Sequence, residues 1–202
     1  MRSKVARMDE SKNTGASIFY DKVYEADRPE IFFKSSAFRV IGHNGTVRIR
    51  KDSSWNVPEP ELTLFISSES TIEGYTIGND MSSRSIEGEN PLYLPQAKTY
   101  DGSCSLGPCL YVPEKPLLPS TAIHLAIERT GQEIFNGNAT LGQMKRSLPE
   151  LASWLTRETS FPSGVFLMTG TCLVPEGGFT LRSGDTITIA IDNIGILKNI
   201  VG

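Results

Sequence analysis

The chain has 202 residues, of which 39% are hydrophobic and 21% charged, a composition typical of one globular domain and unlike disordered or collagen-like chains. It carries 20 Lys and Arg against 23 Asp and Glu residues and has no basic run, which argues against a nucleic-acid partner. No apolar run approaches the ~20 residues of a transmembrane helix, and none follows the basic start as in a secretory signal. Three cysteines without a Cys-x-x-Cys pair fit a reducing compartment, so we expect a cytoplasmic protein that is not embedded in a membrane.

The first 30 residues are polar and interrupted by turn residues, and they predict a separate N-terminal segment with a short helix at residues 18–26. Short β-rich runs bounded by turn residues then predict strands at residues 31–34, 46–50, 61–66 and 74–78. The Asn44-Gly45 step favours a tight turn, so we expect a hairpin between residues 39–41 and 46–50.

The stretch at residues 86–105 is rich in Gly, Pro, Asn and Gln and has no strand or helix period, which predicts a long loop. Loops of this length in small domains are usually functional, so we expect part of the site here. The second half predicts a hairpin of residues 123–129 and 133–135, a helix at 149–157, and strands at 165–168 and 186–191. The fold class predicted is therefore strand-dominated α+β.

Paired carboxylates open one of the predicted strands, in Pro58-Glu59-Pro60-Glu61-Leu62. Residues i and i+2 of an extended chain point to the same side, so Glu59 and Glu61 lie side by side. Such a pair needs a cation between the carboxylates, a proton on one of them, or exposure to water at a strand edge. Asp80 ends the next apolar strand and adds a third hard oxygen ligand, which favours a Mg²⁺ or Mn²⁺ site.

Two cations follow Asp80 in the sequence, Arg84 after four residues and Lys98 after eighteen. Beside a divalent cation a lysine is driven toward its neutral form and can act as a base, whereas an arginine can bind a substrate carboxylate. Ordinary surface cations are the alternative interpretation of both.

Several motifs of the chain, from residue 31 to the C-terminus, resemble those of the fumarylacetoacetate hydrolase superfamily in order and spacing. They are Glu59-Pro-Glu61, Asn79-Asp80-x-Ser-x-Arg84, Lys98-x-x-Asp101 with Gly107-Pro108, Gly170-Thr171, and Leu181-x-x-Gly184-Asp185 with Gly195-x-Leu197-x-Asn199. The resemblance implies a mixed β-sandwich roll with a few short helices. It also implies bound Mg²⁺ or Mn²⁺, a small-molecule 2-oxo acid or 1,3-diketone substrate, and a homo-oligomer, either a dimer or a tetramer.

The resemblance also assigns roles to individual residues. Metal binding falls to Glu59, Glu61 and Asp80, catalysis to Lys98, and substrate binding to Arg84, Thr171 and Phe32.

Within the superfamily, residues 19–34 and 80–98 look most like the 2-keto-3-deoxy-D-arabinonate dehydratase branch. No histidine precedes Lys34, and Glu87 stands where the hydrolases usually carry a Gln, so the residues that activate water for hydrolysis are missing. The resemblance thus implies dehydration of a 2-keto-3-deoxy sugar acid to 2,5-dioxopentanoate through a Mg²⁺-stabilised enolate.

In this reaction Lys98 would remove the C3 proton, and a carboxylic acid would assist departure of the C4 hydroxyl. Glu30 and Glu87 are the two candidates for that acid; a solvated loop glutamate is an equally good interpretation of Glu30.

Two alternatives remain open at this point. The same metal site can serve C–C bond hydrolysis of an acylpyruvate or decarboxylation of oxaloacetate. Relatives in the dehydratase branch also carry an additional N-terminal domain, which we expect this chain to lack. The chain would then consist of a lid at residues 1–30 and a catalytic domain at residues 31–202, and it would show little activity if the missing domain supports the lid.

Overall fold

Two five-stranded β-sheets pack against each other in the computed structural model, which describes residues 25–202. The strands are β1 (Val40–Ile41), β2 (Thr46–Val47), β3 (Asn56–Val57), β4 (Pro60–Ile66), β5 (Ile72–Asp80), β6 (Ser82–Ser83), β7 (Cys104–Tyr111), β8 (Ala122–Arg129), β9 (Gln132–Thr140), β10 (Val165–Met168), β11 (Thr186–Ile191) and β12 (Gly195–Val201). The helices are α1 (Arg84–Glu89), α2 (Leu94–Lys98) and α3 (Leu148–Thr156), with 3₁₀ turns at Ala37–Arg39, Pro91–Tyr93 and Leu141–Gln143. Within residues 25–202, no helix is long and apolar enough to cross a membrane.

The strand order is β1-β7-β5-β4-β10 in the first sheet and β2-β12-β11-β8-β9 in the second, and β3 pairs with β6. Each large sheet is mixed, because β1 runs parallel to β7 and β2 runs parallel to β12, whereas the other pairs are antiparallel. The predicted strand-dominated fold with mixed sheets and a few short helices is confirmed.

Aliphatic side chains from both sheets form the core between them. Leu62 and Leu64 of β4 and Leu125, Ile127 and Ile189 of the second sheet are fully buried in one cluster. These residues recur at every second position along their strands, as expected when one face of each sheet is turned inward. Burying each of these side chains stabilises the fold by ~1.5–3 kcal/mol.

The predicted hairpin around Asn44-Gly45 is wrong in its pairing. Asn44 does adopt the left-handed conformation of a tight turn, with a φ of 64°. However, β1 pairs with β7 in the first sheet, whereas β2 pairs with β12 in the second. An Asn-Gly step reverses the chain, but contacts with strands far along the sequence decide where each arm pairs. The turn therefore carries the chain from one sheet to the other.

The long loop predicted at residues 86–105 is also wrong, because this stretch holds the end of α1, a 3₁₀ turn and α2. Proline occupies the first turn of both Pro91–Tyr93 and α2, where its missing N–H costs nothing, and the Asn90 side chain accepts a hydrogen bond from Leu92 N (2.9 Å). Helices this short are set by their caps and are invisible to a search for a 3.6-residue period.

Other predicted elements are confirmed. The β8–β9 hairpin turns at Thr130 and Gly131, and α3 begins after Ser147, whose hydroxyl accepts a hydrogen bond from Glu150 N (3.3 Å). By contrast, the strand predicted at residues 31–34 is wrong, because these residues form neither helix nor strand. The helix predicted at residues 18–26 falls largely outside the described residues.

Candidate metal centre and active site

Three carboxylates come together where β4 begins and β5 ends. The two strands are antiparallel, with Glu61 opposite Gly78, and Asp80 N donates a hydrogen bond to Glu59 O (2.9 Å). Glu59, Glu61 and Asp80 are all buried, and each offers an oxygen within 4.8 Å of those of the other two. The metal ligands predicted from the sequence are therefore brought together.

The carboxylates occupy the face of β4 opposite the core. Leu62 and Leu64 point into the core, so Glu61 and its neighbour Glu59 point to the other side, yet that side is buried as well. Burying charge without compensation is costly, and hard oxygen ligands in this number suit a divalent cation such as Mg²⁺. The donor set of this site thus fits the metal that the sequence predicts.

Lys98, the last residue of α2, places its ammonium between two of the carboxylates. Lys98 Nζ lies 2.9 Å from Glu59 Oε2 and 2.9 Å from Asp80 Oδ2, and it also donates to Ser82 Oγ. Its side chain is 1% exposed. A positive charge therefore already lies beside two of the three carboxylates.

Glu61 has unfavourable electrostatic surroundings for a charged carboxylate. Burial first, and then the neighbouring negative charges of Asp80 and Glu59, together raise the pKa of Glu61 to about 7 against the opposing effect of Lys98. Gly170 N donates a hydrogen bond to Glu61 Oε2 (2.6 Å). Metal ligation requires the deprotonated carboxylate, so protons and metal compete for this side chain.

Arg84 lies at the triad formed by Glu59, Glu61 and Asp80, and Phe32 lies beside Lys98. Arg84 begins α1 and is buried, with Nη2 donating to Glu59 Oε1 (3.0 Å) and the guanidinium 5.7 Å from the Trp55 ring centroid. The Phe32 ring centroid lies 5.9 Å from Lys98 Nζ. Two of the three residues predicted to bind substrate thus lie beside Glu59 or Lys98.

Thr171 is buried, but its hydroxyl serves a local turn. The hydroxyl donates to Leu173 O (3.0 Å) and accepts from Leu173 N (3.1 Å). Gly170, the preceding residue, has a φ of 87° and turns its N–H toward Glu61. This stretch therefore reaches the site through its backbone.

The two acid candidates have different environments. Glu30 is exposed and precedes Phe32 in an irregular segment. Glu87 is buried on α1, three residues after Arg84 and thus on the same face of that helix.

Lys34 is a site residue to which the sequence reasoning assigned no role. Lys34 Nζ lies 2.6 Å from Asp80 Oδ1 and donates to Met81 O (3.0 Å) and to Lys98 O. One sequence signal could have identified it, since a lysine directly after the apolar run Ile31-Phe32-Phe33 is expected to find a buried partner.

The chain belongs to the fumarylacetoacetate (FAA) hydrolase C-terminal family, whose sequence profile matches residues 6–202. A probable 2-keto-3-deoxyxylonate dehydratase of Haloferax volcanii is 46% identical over 200 residues, which are 98% of this chain and 68% of the relative. A 2-dehydro-3-deoxy-D-arabinonate dehydratase of Saccharolobus solfataricus is 42% identical over 197 residues, 97% of this chain and 66% of the relative.

A solved structure of 2-keto-3-deoxy-D-arabinonate dehydratase complexed with magnesium and 2,5-dioxopentanoate superposes with a TM-score of 0.86 and 43% identity. The superposition covers 90% of this chain and 65% of the other. The chain thus spans about two thirds of the length of these relatives.

Proposed function

We propose that the chain carries the active site of a metal-dependent dehydratase of 2-keto-3-deoxy sugar acids, a hydro-lyase that converts 2-keto-3-deoxy-D-arabinonate to 2,5-dioxopentanoate. The observation that carries the proposal is the buried triad of Glu59, Glu61 and Asp80 with Lys98 between its carboxylates. Sequence relatives named as dehydratases of such acids, and a similar structure with magnesium and 2,5-dioxopentanoate, support this substrate class.

The triad would hold the metal, with Mg²⁺ as the proposed ion and Mn²⁺ as the alternative, since all three ligands are carboxylates. When bound, the cation withdraws electron density from the 2-oxo group of the substrate and makes the protons on C3 more acidic.

Lys98 is the proposed base. Its Nζ lies 2.9 Å from an oxygen of Glu59 and 2.9 Å from an oxygen of Asp80, so this nitrogen is close to a substrate that binds at the triad. In its neutral amine form Lys98 removes a C3 proton, and Ser82 and Glu59 hold the amine in place.

The C4–O bond then breaks, and the departing hydroxyl takes a proton from Glu30 or Glu87 and leaves as water. General acid assistance of this kind is worth ~10²–10⁴ in rate. A proton shift from C5 to C3 moves the new C3–C4 double bond to C4–C5, and the resulting enol becomes the terminal aldehyde. Atoms balance, since the substrate loses one water.

Substrate binding is proposed for Arg84, Phe32 and Thr171. The Arg84 guanidinium reaches Glu59 and supplies the fork that a substrate carboxylate pairs with. Phe32 offers an apolar wall beside Lys98, and the stretch at Gly170 and Thr171 offers backbone groups at the edge of the triad.

A homo-oligomer, dimer or tetramer, in the cytoplasm is also proposed. Large apolar side chains on the surface support it: Phe166 is 45% and Leu110 44% exposed, and the Phe166 ring packs on Phe65 with centroids 5.2 Å apart. Light scattering coupled to size-exclusion chromatography measures the assembly. The division into a lid at residues 1–30 and a catalytic domain at residues 31–202 stays a prediction.

The proposal is tested by assaying the purified chain on 2-keto-3-deoxy-D-arabinonate with Mg²⁺, with Mn²⁺, and with EDTA, and by identifying the product by mass spectrometry. We expect metal-dependent formation of 2,5-dioxopentanoate that is lost in Glu61→Gln and Lys98→Met. Turnover of an acylpyruvate or of oxaloacetate in its place would support the C–C cleavage alternative. Metal binding without turnover of any of these compounds would instead indicate a chain of little activity.

A further inference from the structure

The segment of residues 26–36 contains no helix or strand, and side chains from elsewhere hold it against the sheets. Arg146 Nη2 donates to Ala26 O, and Thr99 Oγ1 donates to Phe33 O (3.0 Å). Both contacts are made to backbone carbonyls of the segment. Lys34 makes a contact of another kind, because it reaches from the segment into the triad.

The Lys34 ammonium has three partners, which matches its three N–H donors. It lies 2.6 Å from Asp80 Oδ1 and donates to Met81 O (3.0 Å) and to Lys98 O. Asp80 Oδ2 is meanwhile bound by Lys98 Nζ. The two lysines thus pair with the two oxygens of the Asp80 carboxylate, and Lys34 also donates a hydrogen bond to the backbone carbonyl of Lys98. Its side chain is only 11% exposed.

Exposure alternates along this segment. Ile31 and Phe33 are 40% and 68% exposed, whereas Phe32 and Lys34 are turned inward. This is the pattern of an extended chain, in which residues i and i+2 share a side, so Phe32 and Lys34 lie together on the inward side. A shift of one residue would turn this whole set away from the triad.

We infer that Lys34 is a positioning residue, which fastens residues 30–36 to Asp80 and to the end of α2 and so holds Phe32 at Lys98. In this account Lys34 contacts no substrate. Its effect on turnover rests on the proposed function, whereas its fastening of the segment does not.

Chymotrypsin provides a test that is independent of activity, because it cleaves after Phe32 and Phe33 only when the surrounding segment leaves the sheets. The metal-free full chain, its Lys34→Met variant and an Arg39→Met control are digested under native conditions, and fragments cut at these two bonds are followed by mass spectrometry. Arg39 is a matched control because it also pairs with an acid, at 3.2 Å from Asp101, but in an exposed ion pair outside the site.

We expect cleavage after Phe32 and Phe33 to be faster in Lys34→Met by ~10-fold or more, and to stay within about twofold of wild type in Arg39→Met. Equal rates in the two variants would overturn the inference. Lys34→Gln replaces Lys34→Met if circular dichroism shows that the latter is unfolded; its expected direction is the same, and a wild-type rate in this variant would equally overturn the inference.

Kinetics supply the second readout. With the segment loosened, we expect kcat of Lys34→Met on the proposed substrate to fall by ~10–100-fold while KM changes by less, because misplaced groups act mainly on the chemical step. Faster cleavage with unchanged kcat would contradict the role at Lys98. If the wild-type chain has no activity, the proposed function fails, but the cleavage rates still decide whether Lys34 fastens the segment.

Discussion

The two large sheets use their outer faces in different ways. In the second sheet, β11 alternates between buried and half-buried residues, as expected for a strand with one face on the core. In the first sheet, β4 is buried along nearly its whole length on both faces. The face of β4 that does not meet the core carries Glu61, and Glu59, directly before the strand, lies on the same side. The burial of this face therefore belongs to the cluster of carboxylates and not to a larger core.

A buried acid in each sheet shows the same contrast. Asp185, next to β11, accepts two hydrogen bonds from Arg129 (2.7 and 2.8 Å) and one from Arg182 N (2.8 Å). Its charge is fully compensated by groups of the protein. Glu61 instead lies beside two other carboxylates, and its pKa is raised to about 7. Crowding of acids, and not burial alone, distinguishes the face of the first sheet that carries the proposed metal site.

Replacing Glu61 should have the largest effect. Even partners one step removed from a metal typically contribute 10–100-fold to affinity, so we expect Glu61→Gln to weaken Mg²⁺ or Mn²⁺ binding by at least ~100-fold and to abolish turnover. Isothermal titration calorimetry measures the affinity. Glu128→Gln, an exposed glutamate of the second sheet, is the matched control and should bind metal as wild type does. Wild-type affinity in Glu61→Gln would show that the crowded acid is not a ligand.

Replacing Lys98 should affect the reaction without removing the metal site. We expect Lys98→Met to lower kcat by ~10³-fold, because the base is lost while all three carboxylates stay. Steady-state kinetics at saturating Mg²⁺ measure this change, and Lys198→Met, at an exposed lysine of β12, serves as control. A kcat within a few-fold of wild type would exclude Lys98 as the base.

A substitution in the core of the second sheet should lower stability and leave metal binding unchanged. Ile189 is fully buried in β11, and Ile189→Ala should lower the free energy of unfolding by ~2–5 kcal/mol through lost burial and a cavity. Urea denaturation measures the loss. The folded variant should bind metal with wild-type affinity. A large loss of affinity would show that the core of the second sheet also contributes to metal binding.

The pH dependence of the melting temperature should reveal Glu61 as well, with a smaller effect than the substitutions above. Its pKa rises from an ordinary value of 4.5 to about 7 on folding, so the folded state holds this proton more tightly. The stability it contributes is fully present below the ordinary pKa and is lost as the pH rises through the folded value. Without metal, the melting temperature should therefore fall between about pH 5 and pH 8, and Mg²⁺ should raise it more at the higher pH.

Differential scanning fluorimetry measures both trends, and Glu61→Gln should remove most of the decline. A melting temperature in this variant that falls as steeply as in wild type would assign the pH dependence to another group.

The sequence predicted the cluster of Glu59, Glu61 and Asp80 because the pattern is local: two carboxylates lie two residues apart at the start of a strand, and a third lies at the end of the next strand. Lys98 and Arg84 followed from their spacing to Asp80 and from the resemblance. Lys34 was missed because its partners are 46 or more residues away, at Asp80, Met81 and Lys98. The hairpin at Asn44 failed for a similar reason, since strands far along the chain decide its pairing.

Anomalous diffraction from crystals soaked with Mn²⁺ tests the central claim most directly. The account predicts one peak at bonding distance, ~2.1 Å, from oxygens of Glu59, Glu61 and Asp80, with Lys98 Nζ moved off at least one of its two carboxylates. Mn²⁺ bound elsewhere, with the Lys98 ammonium still between Glu59 and Asp80, would contradict it.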